Sequence, residues 1–172
     1  MKRMRMMLAV LCAVGSIGLT GCGAGSTGAP AAVGTGRAPG AAVRCAAAPP
    51  SLISADLSVP VTAVQETVSG STLCQYTKGS DPASAVSVDF VTTADASEFG
   101  VARTSIIKQF GPVTDVAGLG DEAFASTTTY GGRTLTNELL ARKGSLQIQV
   151  GSAATVDQEK MLITHLFGVL SQ

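Results

Sequence analysis

Tryptophan is absent from this chain of 172 residues, and aromatic residues of all kinds make up only 4% of it. The core must therefore be built from valine, isoleucine, leucine and a few phenylalanines. Charged residues are also scarce: they make up 14% of the chain, against roughly 25% in an average globular protein. A surface whose polarity comes from serine, threonine, glutamine and glycine suits an exported protein better than a cytosolic one.

Positive charge is especially scarce in the C-terminal three quarters of the chain. From Cys45 onward there are seven basic and 12 acidic residues, which gives a formal charge of −5. A domain of this sign has little surface that could neutralise phosphates. We therefore expect no nucleic-acid partner.

Side chains that commonly carry catalysis are few. The only histidine, His165, is predicted on the flank of the last helix, and no Gly-x-Ser-x-Gly motif presents a nucleophilic serine. We therefore predict a protein that is not an enzyme and that binds no cofactor and no metal. A pair of carboxylates brought together across a sheet remains open, because spacing along the chain does not report that distance.

The apolar run near the N-terminus is too short to cross a bilayer. It covers 6–19, about 14 residues, whereas a spanning helix needs about 20. The run follows a basic start and ends in Leu19-Thr20-Gly21-Cys22. This pattern resembles the bacterial lipobox, in which a signal peptide, here 1–21, is removed and Cys22 carries a diacylglycerol. A plain signal peptide with a chance cysteine is the alternative.

The segment 22–44 is composed almost entirely of glycine, alanine, serine, threonine and proline. Such a composition buries too little apolar area to offset the entropy of ordering. We predict a disordered linker with a reach of about 25 Å. The linker would join a lipid anchor on the extracytoplasmic face of the cell membrane to one folded domain at 45–172.

Two of the four cysteines remain for the folded domain. Cys12 would leave with the signal peptide and Cys22 would carry lipid, so Cys45 and Cys74 are left. Two cysteines in an exported domain most often pair. Free thiols or a metal site are the alternatives, and a metal site would need further ligands. We predict a disulfide bond between Cys45 and Cys74.

Two stretches of the domain resemble each other. Each has a Lys-Gly-Ser turn, at 78–80 and at 143–145, then a strand with alternating apolar residues, then an amphipathic helix, at 96–110 and at 156–170. A shorter helix is predicted at 51–57. The pattern predicts an α+β fold: an antiparallel sheet with helices packed on one face, built from two ββα-like units plus the short N-terminal helix. The expected order is helix, two strands, helix, at least three strands, helix.

The run Gly118-Leu119-Gly120-Asp121-Glu122-Ala123 carries a family resemblance. Together with Cys45, with the sequence Cys74-Gln75-Tyr76 and with the lipobox, it resembles small actinobacterial lipoproteins, of mycobacterial and streptomycete type, that share a domain of unknown function. In that family an aromatic residue usually follows the second cysteine by two positions, as Tyr76 does here. The resemblance implies an exported, disulfide-bonded α+β domain and supplies no catalytic residues.

The same run is a candidate binding or structural loop, defined by Gly118, Gly120, Asp121 and Glu122. It fits the dinucleotide pattern Gly-x-Gly-x-x-Gly/Ala, but that motif needs a helix to follow, and 124–130 is rich in β-forming residues. We therefore expect the glycines to shape a loop between strands. The two acidic residues could bind a hard cation or cap the loop. Tyr76 and Tyr130 are further candidates for contacts with a partner.

These observations favour an exported, membrane-anchored lipoprotein that acts as a non-catalytic binding or interaction module of the cell envelope with an unknown ligand. One alternative is a carrier of an apolar small molecule or lipid, with a cavity between sheet and helices. The second alternative is an envelope hydrolase, with a polar cleft and converging carboxylates. The expected partners are the membrane, through the lipid anchor, and an envelope protein or an apolar ligand.

Overall fold

The computed structural model describes residues 42–79 and 81–170, so the predicted signal peptide 1–21, Cys22 and most of the linker 22–44 lie outside the described residues. After a short 3-10 turn at Cys45–Ala47, three helices and seven strands follow within the described ranges. In chain order they are α1 Pro50–Leu57, β1 Ala63–Ser69, β2 Ser71–Lys78, β3 Asp81–Val91, α2 Ala96–Phe110, β4 Thr114–Asp115, β5 Glu122–Tyr130, β6 Arg133–Lys143, β7 Leu146–Ser152 and α3 Val156–Leu170.

The seven strands form one sheet in the order β1-β2-β3-β7-β6-β5-β4, and every neighbouring pair is antiparallel. The predicted α+β fold with an antiparallel sheet is therefore confirmed. The β2–β3 and β6–β7 hairpins are the two predicted units, and they place β3 beside β7 at the centre. Each unit is followed by its helix, α2 or α3.

The larger part of the core lies on the sheet face covered by α1 and α3. In one row across the sheet, Val88 of β3 pairs with Val150 of β7, which pairs with Leu139 of β6, and all three are fully buried. Helix α3 packs Leu162 and Leu166 against this face. Since burial of each such side chain contributes about 1.5–3 kcal/mol, this layer dominates the stability of the domain.

Helix α2 packs on the opposite face of the sheet, which corrects the predicted one-face arrangement. Its residues Phe99 and Ile106 form a separate cluster with Phe124 of β5 and Leu140 of β6, and the two phenylalanine ring centroids are 5.3 Å apart. Phe124 and Leu140 alternate along their strands with residues of the larger core, so they point to the other side. The uninterrupted apolar run at 139–141 fits strands buried on both faces.

The edge strand β1 was not predicted. It pairs with β2 from Ala63 to Ser69, yet nearly all of its side chains are exposed. An edge strand with both faces open has no buried side to impose an apolar alternation. The spacing of apolar residues along the sequence therefore does not predict β1.

The two long helices begin as predicted. In α2 the Asp95 carboxylate accepts the Glu98 backbone N–H at 2.9 Å, and the Glu98 carboxylate accepts the Asp95 backbone N–H at 3.3 Å. In α3 the same exchange joins Thr155 and Gln158. These reciprocal bonds satisfy amide groups that the first helical turn leaves unpaired.

Among the described residues, no helix has the length and apolar character needed to cross a membrane.

The N-terminal segment is fastened to the sheet by the predicted disulfide, which is confirmed. Cys45 and Cys74 are bonded with a Cα–Cα distance of 5.6 Å. Beside this bond, the Cys45 backbone N–H donates to Glu66 at 2.7 Å and, with Arg44, lowers the pKa of that carboxyl group. The Tyr76 hydroxyl donates to the Ala48 carbonyl at 2.6 Å in the interior. Tyr76 is fully buried, so it cannot serve as the partner contact considered from the sequence.

Candidate functional site

One row of directly paired residues crosses five strands on the sheet face that also carries α2. Gln65 of β1 pairs with Gln75 of β2, which pairs with Ser87 of β3. Ser87 pairs with Gly151 of β7, and Gly151 with Glu138 of β6. We call these five residues the Gly151 row. The row brings amide, hydroxyl and carboxyl groups into one line. Gly151, which has no side chain, lies between Ser87 and Glu138.

The missing side chain at Gly151 leaves a gap between two oxygen atoms. A Cβ atom placed there would lie 2.8 Å from Ser87 Oγ and 3.9 Å from Glu138 Oε1. The first distance is too short for a carbon, so any side chain at this position would force the Ser87 hydroxyl to move. Glycine therefore keeps the space above the backbone of β7 open, with both oxygens beside it.

A groove lies over the Gly151 row. Strands β3 and β6 both begin before the residues that pair with β7, so the β2–β3 and β5–β6 hairpins extend past the end of β7. The groove has a volume of about 550 Å³, which is within the range of small-molecule sites. Its polar lining side chains are Gln65, Gln75, Thr77, Ser87, Thr136 and Glu138.

Among the described residues that line the groove, Glu138 alone carries a carboxyl group, and none is a lysine or an arginine. Burial raises the pKa of Glu138. Gln149 donates to its Oε2 at 3.3 Å, while Oε1 and Ser87 Oγ have no hydrogen-bond partner within the described part of the chain. One row further along, Asp89 pairs with Gln149 in the ladder and has a buried oxygen that likewise lacks a partner there.

A second perturbed acid, Glu159 of α3, lies on the other face of the sheet. It is fully buried, and its Oε1 accepts the Ser152 hydroxyl at 2.7 Å. The pKa of Glu159 is raised to about 8: burial is the largest cause and the charge of Glu138 adds to it, whereas the hydrogen bonds with Ser152 lower it. Because Glu159 is inaccessible, it cannot act on a ligand in the groove together with Glu138.

The predicted glycine loop is held by Arg142 at the other end of β6. Gly120 has a positive φ of 65°, and a Cβ there would overlap the backbone carbonyl oxygen of Arg142. Arg142 donates to Glu122 at 2.6 and 2.9 Å, while the Asp121 carboxylate accepts the Gly144 backbone N–H at 2.8 Å. Both acids therefore have partners inside the domain. The fourth residue of the loop, Gly118, also has a positive φ, of 73°.

The other residues singled out in the sequence lie apart from the groove. His165 Nδ1 of α3 is 2.7 Å from the Asp56 carboxylate of α1, which joins the two helices on the opposite face of the sheet. Within the described residues no serine or cysteine shares a hydrogen bond with His165. Tyr130 is 79% exposed at the tip of the β5–β6 hairpin. The described ranges hold no cluster of three or more His, Cys, Asp or Glu side chains arranged to bind a metal.

Sequence reasoning did not identify the Gly151 row. The alternation in β3 places Ser87 and Asp89 on the more polar face, but strand register alone aligns Ser87 with Gly151 and Glu138. Comparison of the chain with family models, with curated proteins and with solved structures found no match to any of them. The chemistry of the site is therefore argued from its own geometry.

Proposed function

We propose that this protein is an exported, lipid-anchored binding module of the cell envelope, and that it holds a polar ligand in the groove over the Gly151 row. The lipobox at 19–22 supports the anchor, as does the resemblance to small actinobacterial lipoproteins. The observation that carries the binding role is the row itself. Four strands place hydrogen-bonding side chains in one row, and the glycine of the fifth strand, β7, keeps a gap open among them.

The carrier of an apolar molecule is less well supported. The space between the sheet and α3 is occupied by Leu162, Ile163 and Leu166, all fully buried. About half of the residues that line the groove of about 550 Å³ carry an amide, hydroxyl or carboxyl group instead. Removing such groups from water without replacing their hydrogen bonds costs free energy. A ligand that supplies hydrogen-bonding partners therefore fits this groove better than a lipid tail does.

The hydrolase is also less well supported. Acid–base catalysis by two carboxyl groups needs both within reach of one substrate. Glu138 lines the groove, whereas Asp89, one row further along the same face, does not line it. Glu159 is fully buried on the other face, and His165 is bonded to Asp56 there. We therefore propose binding without turnover. Incubation of the purified protein with panels of esterase, protease and glycosidase substrates should give only background rates.

A photo-cross-linking amino acid tests the binding role in cells that express the full-length protein. It replaces the exposed Gln75 in the groove or, as a matched control, the exposed Met161 on α3 at the other face. We expect a specific adduct, identified by mass spectrometry, from position 75 and none from position 161. Adducts of the same kind at both positions, or none at position 75, would contradict the proposed role.

A further inference from the structure

We infer that the groove binds its ligand through a primary ammonium group placed over Gly151, between Glu138 Oε1 and Ser87 Oγ. This inference rests on the proposed binding role of the groove and specifies its ligand chemistry.

The geometry over Gly151 suits a small donor. The absent Cβ position is 2.8 Å from Ser87 Oγ and 3.9 Å from Glu138 Oε1, and both oxygens lack partners within the described residues. A non-bonded ammonium nitrogen must lie further from the Gly151 backbone than a Cβ atom would. We therefore place it above the Cβ position and between the two oxygens, with a hydrogen bond of about 2.7–3.2 Å to each. Its three N–H groups can serve these two oxygens and one further acceptor.

The charges around the groove favour a cation. Glu138 is ionisable and buried enough for its pKa to be raised, and no lysine or arginine stands among the described lining residues to compensate it. An opposite charge brought by the ligand would offset the desolvation of the carboxylate. A calcium ion would need six to eight oxygen ligands, and the described residues offer no acidic cluster of that kind. An ammonium group needs only two or three acceptors.

The rest of the groove indicates the body of the ligand. Gln65, Gln75 and Thr77 continue the lining away from Gly151 with amide and hydroxyl groups. The volume of about 550 Å³ leaves room for more than the ammonium group. A ligand rich in hydroxyl or amide groups would form hydrogen bonds with this part of the lining. The ligand chemistry is therefore a polar primary amine, and both an amino sugar and the amino terminus of a peptide have it.

An NMR titration of the purified, isotope-labelled full-length protein in detergent tests the inference. The probes are D-glucosamine and triglycine amide, each compared with its N-acetylated form, which lacks the charge. We expect the amide signals of Ser87, Glu138 and Gly151 to shift, with the charged form binding about tenfold to a hundredfold more tightly than its acetylated match. The probe pair with the larger ratio of charged to acetylated affinity identifies whether the amine comes from an amino sugar or from a peptide.

Variants locate the effect at Glu138. Glu138→Gln keeps the side-chain shape and should abolish the preference for the charged probe, and Ser87→Ala should reduce it. Asp157→Asn makes the same change of net charge at an exposed position of α3. This variant should leave the preference for the charged probe unchanged. Equal binding of charged and acetylated probes, or a preference that survives in Glu138→Gln, overturns the ammonium inference. Shifts confined to residues outside the groove overturn it as well. The binding role is judged separately, by cross-linking at position 75.

Discussion

The hydroxyl of Ser152 donates a hydrogen bond of 2.7 Å to Oε1 of Glu159, inside the layer between α3 and the sheet. The same hydroxyl oxygen accepts the backbone N–H of Ala154 at 3.0 Å. The other carboxyl oxygen of Glu159 has no partner within the described residues. A carboxyl group so placed is more stable when protonated, because an ionised form would be buried with few compensating bonds.

This burial predicts that stability falls as the pH rises. The pKa of Glu159 is raised from 4.5 to about 8, so between these values the folded state holds a proton that the unfolded state has lost. The stability that protonated Glu159 contributes is complete below pH 4.5. It falls by up to about 1.4 kcal/mol per pH unit above that value and is lost once the pH has risen through 8. Glu159→Gln stays neutral throughout. Calorimetry should therefore show that this variant gains in Tm relative to wild type between pH 5 and pH 8.

The control for this prediction is Asp157→Asn, in the same helix turn but exposed. Its Tm should follow that of wild type across the same pH range. A Glu159→Gln variant whose Tm difference from wild type is constant with pH would show that Glu159 does not titrate in the window predicted.

Loss of the disulfide should destabilise the domain substantially. Cys45 and Cys74 are 29 residues apart, and closing a loop of this size contributes about 3–4 kcal/mol in the chain-entropy model. Urea unfolding of the Cys45→Ala/Cys74→Ala variant should report a loss of this size. Reductant should destabilise wild type and leave the double variant unaffected. An equal response of both proteins to reductant would contradict the prediction.

The two loop glycines should differ in their tolerance of alanine. Both have positive φ, but a Cβ at Gly118 meets no atom within 4 Å, whereas at Gly120 it would overlap the Arg142 carbonyl oxygen. Gly118→Ala should lose about 1–2 kcal/mol from the strained backbone alone. Gly120→Ala adds a steric clash and should lose at least about 3 kcal/mol. Urea denaturation compares the two, and equal losses would show that the contact with Arg142 is relieved easily.

Lipidation should depend on Cys22. The lipobox predicts that Cys22→Ala moves the protein from the membrane fraction to the soluble fraction after a salt wash. Cys12→Ala changes a cysteine that would leave with the signal peptide, so this variant should stay in the membrane fraction. Fractionation followed by immunoblotting gives the result. Retention of Cys22→Ala in the washed membranes would place the anchor elsewhere.

Local signals were sufficient for the helices and hairpins. The capping residues Asp95 and Thr155 mark the helix starts because the amide groups of the first turn need nearby acceptors. Lys78-Gly79 and Lys143-Gly144 lie at the two hairpin turns because glycine adopts positive φ with little strain. These features depend on residues a few positions apart, which is why the order and bounds of α2 and α3 could be predicted.

Short-range patterns and the number of available thiols were enough to predict the antiparallel α+β class, the two ββα units and the pairing of Cys45 with Cys74. The packing of α2 on the opposite face and the position of β1 at the edge of the sheet could be seen only in the folded domain. The same holds for the row formed by Ser87, Gly151 and Glu138. Strand register and layer order depend on how distant segments pack together, and a side chain separated by 64 residues from its neighbour leaves no trace of that contact in its local pattern.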